Sequence, residues 1–486
     1  MRRTAATLLL VLIVAAAPVA ADPWAAPGNL QLRHDIELLA DAGIIRSPVT
    51  TWPLSWPDVA RDALGATPEP KERALNDALL RVQRAARRAA AVGFSGLGVR
   101  ISAARDPTQL RTFSDTPRAQ GELGVEATWL GERFAANLNA TAVASPADGQ
   151  KLRLDGSYLG VTLANFMISV GSMERWWGPG WEGSLILGTN ARPIPGLTIE
   201  RNYTDPFQWR ALHWLGPWRA SIAVGQEERS GVPLPDVRFF AARLNFKPRP
   251  WFEFGLSRTA QFCGRGRTCT LRTVWDLLRG HDNQVSPSGG TADQPGNQMA
   301  GYDLRLRSPW RSVPLAFYAQ MIGEDEAGGL PSKFLGLAGL ETWMDTSAGS
   351  LRLRTEFADT ACEFSRQRPQ FNCAYRNSIF PQGYTYRGRI IGDSMDNDGR
   401  MVSLGVLLVR PSGETWSLLA RKAELNRDGG IDPAHTVSAT AGEVKNVELG
   451  YNRGLRFGEL RVGLGYDDDR LRGSNWRGFL EWRQGL

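Results

Sequence analysis

The side chains best equipped for chemistry in this sequence are few and scattered. Its four histidines, His34, His213, His281 and His435, share no local motif, and there is no HExxH zinc helix, no nucleophile-elbow serine and no phosphate loop ending in Gly-Lys-Ser/Thr. Gly178-Pro179-Gly180-Trp181-Glu182-Gly183 has the spacing GxGxxG, with Glu200 further along. A pyrophosphate site needs such a turn to open a helix, whereas here Pro193 and Pro195 follow a β-like Leu185-Ile186-Leu187. Glu174 and Glu182 flank Trp176, Trp177 and Trp181, and a carboxylate pair beside aromatics is the equipment of a glycosidase; one local pair, with nothing to make it converge, is thin ground for that reading. Asp393, Asp396 and Asp398 before Gly399 resemble half a calcium loop, but Ser394 stands at its first ligand position and Gly405 at its twelfth. The chain reads as a protein without enzymatic activity, cofactor or metal.

Cysteine usage and the first residues indicate export. Met1-Arg2-Arg3, an apolar run through Ala17, and small residues up to Ala21 have the order of a secretory signal peptide over residues 1–21. The run is shorter than the roughly 20 residues a spanning helix needs, and no later stretch is long and apolar enough to cross as one. Cys263 and Cys269, and Cys362 and Cys373, form two local pairs around short polar loops, which in an oxidising compartment predicts two disulfides; a zinc site would want Cys-x-x-Cys and nearby histidines. The net charge of +7 falls to +5 once Arg2 and Arg3 leave with the leader, too dilute over this length for a nucleic-acid partner.

The elements that must position these residues are of two kinds. Leu32, Ile36, Leu39, Ala42 and Gly43 recur at helical spacing over residues 29–46, with Asp35, Glu37 and Asp41 between them as a polar face. A second helix is expected from Ser55, capped by its hydroxyl, and a third over residues 70–91, whose far face carries Arg81, Arg84, Arg87 and Arg88 as a solvated surface. Such a bundle is thin for an independent domain and should lean on something else.

From residue 93 the period changes to two. Leu351, Leu353, Thr355 and Phe357 point one way while Arg352, Arg354 and Glu356 point the other; Leu304 and Leu306 alternate with Asp303, Arg305 and Arg307 in the same manner. A soluble sandwich also alternates. Aromatics at segment ends, Trp251, Trp310, Trp343, Trp416 and Trp476, favour the interfacial girdles of an outer-membrane barrel, with apolar side chains outward and charges inward. At about 22 residues per strand and connection, the length predicts a transmembrane barrel of about 18 antiparallel strands. Tight connections at Gly131-Glu132 and Ser412-Gly413 contrast with a long Gly/Ser/Asp/Asn-rich loop at residues 278–298, so loop length should differ between the two ends.

The block Ser172-Met173-Glu174-Arg175-Trp176-Trp177-Gly178-Pro179-Gly180-Trp181, with Gly183-Ser184-Leu185-Ile186-Leu187 and Asn190-Ala191-Arg192-Pro193, resembles the capsule-assembly Wzi family, as does the opening Leu32-Arg33-His34-Asp35-Ile36-Glu37-Leu38-Leu39. The resemblance implies a helical bundle at residues 22–92 on the periplasmic side of a barrel at residues 93–486 in the cell outer membrane. It also implies a lectin-like role, attaching capsular or other exopolysaccharide to the cell surface, with outer-membrane lipid and the polysaccharide export machinery as further partners. A diffusion channel and a secreted carbohydrate-active β protein are the alternatives. Within the block, Glu174, Arg175, Trp176, Trp177, Trp181, Asn190 and Arg192 have two readings. They are either a plug in the lumen, or a surface on which indoles stack against sugars while Arg175 and Arg192 pair with uronates.

Overall fold

The computed structural model describes residues 22–68, 72–279, 296–310, 312–327, 330–470 and 473–485. The expected leader and most of the 278–298 loop, with His281, lie outside them.

Alternation dictates the architecture. An antiparallel sheet closes on itself when its first strand, Gly93–Arg105, pairs with its last, Gly473–Gly485. Nineteen segments run round the ring, and two of them, Leu152–Arg153 and Tyr158–Leu163, share Phe134–Ala144 as partner. These two form one broken strand, so the barrel has eighteen positions, as the length predicted. Closure leaves no unpaired edge, which separates this fold from a soluble sandwich.

Side chains sort by period. On Gly349–Asp359 the residues Arg352, Arg354 and Glu356 are buried inside the barrel, while Val402 and Leu404 of the adjoining strand are 52% and 56% exposed on the outside. Leu123, Leu138, Leu159, Leu464 and Leu480 extend the same outward apolar band round the ring. Water would not tolerate a continuous band of this extent, and a hydrocarbon core requires one. Outward aromatics cluster at the end with short turns, where Trp129, Phe134, Phe166, Trp251, Trp416 and Phe457 are all exposed; Tyr466 and Trp476 pack together near the opposite rim with centroids 5.0 Å apart. Trp343 departs from its expected place in the girdle. It shares the inward face with Glu341, and the Arg352 guanidinium stands 5.2 Å from its ring centre.

Helices Leu30–Asp41, Trp56–Leu64 and Arg73–Ala89 occupy the short-turn end, where Arg81 Nη1 donates to the carbonyls of Arg410 and Pro411 at 3.2 and 3.4 Å. Asn29 and Ser55 cap the first two through their side chains. The first helix stops short of residue 46 because Gly43 turns left-handed, at φ 80°. The bundle does lean on the barrel: its core of Ile36, Leu39, Val59, Leu79 and Val82 also contains Phe113 and Trp176 from barrel loops.

At the other end lie the long connections, residues 106–120, 172–195, 227–236 and 360–399 among them. Both disulfides form there, Cys263–Cys269 and Cys362–Cys373. A helix at Leu271–Arg279, absent from the sequence reading, follows the first disulfide and packs Leu277 against Ala260 and Phe262.

Leu404 lies mid-strand on the outward face, paired with Thr355 and Ala420. Leu404→Arg should cost about 2–4 kcal/mol of folding stability in lipid, measured by denaturant titration in vesicles. An unchanged titration would contradict the outward assignment.

Candidate functional site

The residues 172–195 do not project from the rim. They fold into the lumen, and the barrel wall receives them residue by residue. Glu356 accepts the backbone N–H groups of Trp181 at 2.8 Å and Gly183 at 2.9 Å, Gln320 Oε1 accepts that of Leu185 at 2.8 Å, and Gln320 Nε2 donates to the Trp177 carbonyl at 2.8 Å. A non-repetitive loop inside a barrel has backbone groups that no ladder satisfies, and inward Glu and Gln side chains replace the ladder. Close approach also explains Gly178, at φ 137°, where a Cβ would lie 2.6 Å from Gln320 Nε2.

Trp176, Trp177 and Trp181 are buried, at 2%, 0% and 1% exposure, so no indole face is open to a sugar. Trp181 sits inside a cage of cations, with the guanidinium carbons of Arg33, Arg354 and Arg352 at 4.0, 5.0 and 5.4 Å from the ring. Its Nε1 donates to Glu341 at 3.2 Å. The first helix completes the cage from the opposite end of the barrel. Arg33 donates to the carbonyls of Pro179 at 2.6 Å and Gly180 at 2.8 Å, and also pairs with Glu37 at 2.8 Å. The helix is fastened in turn to the wall. Asp41 takes Arg305 in two hydrogen bonds of 2.6 and 2.8 Å, while Arg352 bridges Glu37 at 3.0 Å and Glu341 at 2.5 Å.

Arg352 Nε donates to His34 Nδ1 at 3.0 Å, so the His34 proton resides on Nε2, which donates to Ser350 Oγ at 2.9 Å. Burial, reinforced by Arg352 and Arg81, pushes the imidazole well below its usual range and keeps it neutral. The polar face of this helix is inside: Asp35, Glu37 and Asp41 are all buried. Arg81 departs from its expected solvated face and pairs with Asp35 at 2.8 Å, whereas Arg84, Arg87 and Arg88 are exposed.

The remaining residues of the block are also engaged. Glu174 lies 3.4 Å from Arg118; burial raises its carboxyl above the ordinary range despite that arginine. Glu182 accepts from Arg354 at 2.9 Å, so the two carboxylates that suggested a glycosidase are each held by an arginine. Arg175 is half-buried against the Met173 carbonyl and Thr198 Oγ1, and loss of hydration lowers its pKa. Asn190 Nδ2 donates to the Ile390 carbonyl at 2.9 Å. Arg192 lies between Asp155 and Asp148, both at 2.7 Å; burial works against its charge, but the two carboxylates prevail and raise its pKa. Asp393, Asp396 and Asp398 make no metal cluster among the described residues. Asp396 and Asp398 accept backbone N–H groups from Thr436 and Asn372. Sequence reasoning missed the partners Arg33, Arg118, Glu341 and Glu356. Arg33 and Glu37 did carry a signal, as an i,i+4 pair within the family-like opening.

The capsule assembly protein Wzi family profile matches residues 105–470. The chain belongs to that family. A 55.8 kDa protein of the cps region of Klebsiella pneumoniae is 31% identical over 426 residues, spanning 87% of this chain and 81% of the relative. A solved structure of Wzi from Escherichia coli superposes with a TM-score of 0.84 at 28% identity, covering 95% of this chain and 99% of that one. That protein is described as an outer-membrane protein involved in group 1 capsule assembly and a carbohydrate-binding β-barrel. As a Wzi-family barrel, the present chain resides in the outer membrane.

Arg352→Ala removes the cation that Glu37 and Glu341 share, leaving Glu37 to Arg33 and Glu341 to Arg305, and should cost about 1.5–3 kcal/mol, seen as faster hydrogen–deuterium exchange over Leu30–Asp41; unchanged exchange would refute the fastening. Burial, with Glu182 adding repulsion, raises the Asp393 carboxyl from 3.8 to about 6. A raised carboxyl favours the fold below the unfolded value, and that advantage is lost as pH rises through about 6. Asp393→Asn should therefore protect the surrounding loop relative to wild type at pH 7.5, by up to about 3 kcal/mol, and not at pH 3.5. Equal protection at both would contradict a raised pKa.

Proposed function

We propose that this protein holds capsular or a related extracellular polysaccharide at the cell surface through its outward loops, acting as a binder without enzymatic activity. The observation that carries the reading is the engagement of the tryptophan block: residues 172–195 are spent on filling the lumen, which leaves the long-loop rim as the surface that faces polysaccharide. In this reading Glu174, Arg175, Trp176, Trp177, Trp181, Asn190 and Arg192 are plug residues, not ligands. Residues 22–92 serve as the periplasmic stopper of the same plug, and the outward aromatics fix the barrel in outer-membrane lipid. Family membership supports the polysaccharide, since Wzi of Escherichia coli is a carbohydrate-binding barrel.

The two fixed carboxylates Glu174 and Glu182 argue against glycoside hydrolysis, which needs one carboxyl free to donate a proton and the other free to attack or to activate water. Deletion of the gene in its encapsulated host should move polysaccharide from the cell-bound fraction to the medium without lowering the total or shortening the chains. Loss of total synthesis, or a change in chain length, would point instead to a role in export or cleavage.

A further inference from the structure

A cavity of about 260 Å³ on the long-loop rim borders the plug only at Pro195. It opens between Gln150, the loop that follows Trp218–Gln226, and the small hairpin of Thr385–Tyr386 and Arg389–Ile390. Its size is below the roughly 300 Å³ at which pockets for drug-sized ligands begin, which suits one sugar residue of a longer chain.

The lining is cationic and polar. Arg387 sits at the hairpin tip with φ 53°, a left-handed conformation that a non-glycine residue seldom adopts, followed by Gly388 at φ 73°. Its backbone N–H is anchored on the Glu228 carboxylate, and its guanidinium stands 5.5 Å from the Tyr386 ring centre. The tip is thereby fixed, yet among the described residues the buried Arg387 Nε has no hydrogen-bond partner. Arg229 faces it from the neighbouring loop and is exposed. Among the described residues no carboxylate forms an ion pair with the side chain of either arginine, in contrast to nearby Arg192, which has two. Glu227, the carboxyl in the lining, is buried and accepts from Gln261 Nε2 at 2.9 Å; burial raises its pKa well above the usual range, which weakens its repulsion of an anion. Glu228 is occupied with the hairpin backbone. Gln150 and Ser230 add an amide and a hydroxyl.

We propose that this cavity binds one carboxylated sugar residue of the extracellular polysaccharide, with its carboxylate on Arg387 and Arg229 and its hydroxyls on Gln150 and Ser230. Guanidinium groups suit this ligand because their planar donors match the two oxygens of a carboxylate. The assignment rests on the polysaccharide-binding reading above and narrows it to acidic glycans.

The test uses the full mature chain in detergent, titrated calorimetrically with oligoglucuronate and with the same oligomer reduced at its carboxyls to a neutral form. Wild type should bind the acidic oligomer at least tenfold more tightly than the neutral one. R229Q/R387Q should lose that preference while keeping wild-type affinity for the neutral oligomer and heat-modifiable mobility in gels. R229Q alone, at an exposed position that cannot endanger folding, should weaken acidic binding about threefold. A double variant that keeps the preference, or a wild type that shows none, overturns the pocket. Release of polysaccharide to the medium on gene deletion would uphold the broader reading under either of those results; polysaccharide that stays cell-bound after deletion, together with no binding of either oligomer, overturns the broader reading as well.

Discussion

Arg352 has to be neutralised where it stands. It points into a barrel, fully buried, and an unpaired guanidinium in such a place would cost several kcal/mol. Its partners come from two directions: Glu341 from the neighbouring strand and Glu37 from the first helix. Arg305 repeats the pattern with Glu341 and Asp41. Because the wall alone cannot satisfy these charges, the helix must enter, and because Arg33 on that helix reaches the carbonyls of Pro179 and Gly180, the tryptophan loop must meet it. The three parts are mutually required.

This mutual requirement sets what the barrel can do. A lumen lined with charges is ordinarily a water-filled path. Here the same charges are used up in fastening a loop from one end to a helix from the other, with Trp181 enclosed between Arg33, Arg352 and Arg354. What remains for a polymer outside the cell is the rim, where, among the described residues, Arg229 and Arg387 have no carboxylate ion-pair partner. The contrast with Arg192, a few residues from the same cavity but held by Asp148 and Asp155, separates a structural arginine from one available to ligand.

Most of the barrel was legible in the sequence because period two is a local property: Leu353 and Arg354 declare opposite faces whatever they pair with. Strand number followed from length, and the two disulfides from spacing in an exported chain. The plug was less legible. Helical spacing marks Asp35, Glu37 and Asp41 as a polar face and reads Arg81 as solvated, since nothing local distinguishes a carboxylate facing water from one facing Arg305 across the lumen. Trp343 was misplaced for the same reason, as its indole could close either face of a strand end. The ligand-side arginines gave no sequence signal at all; Arg387 and Arg229 become neighbours through loops far apart in the chain.

Ion conductance of the purified protein in planar bilayers tests the sealed lumen most directly. A barrel closed by the helix and the tryptophan loop should show no stable conductance steps in high salt. Steady porin-like steps from the intact protein would mean that water and ions pass where Arg352, Glu37 and Trp181 are said to meet.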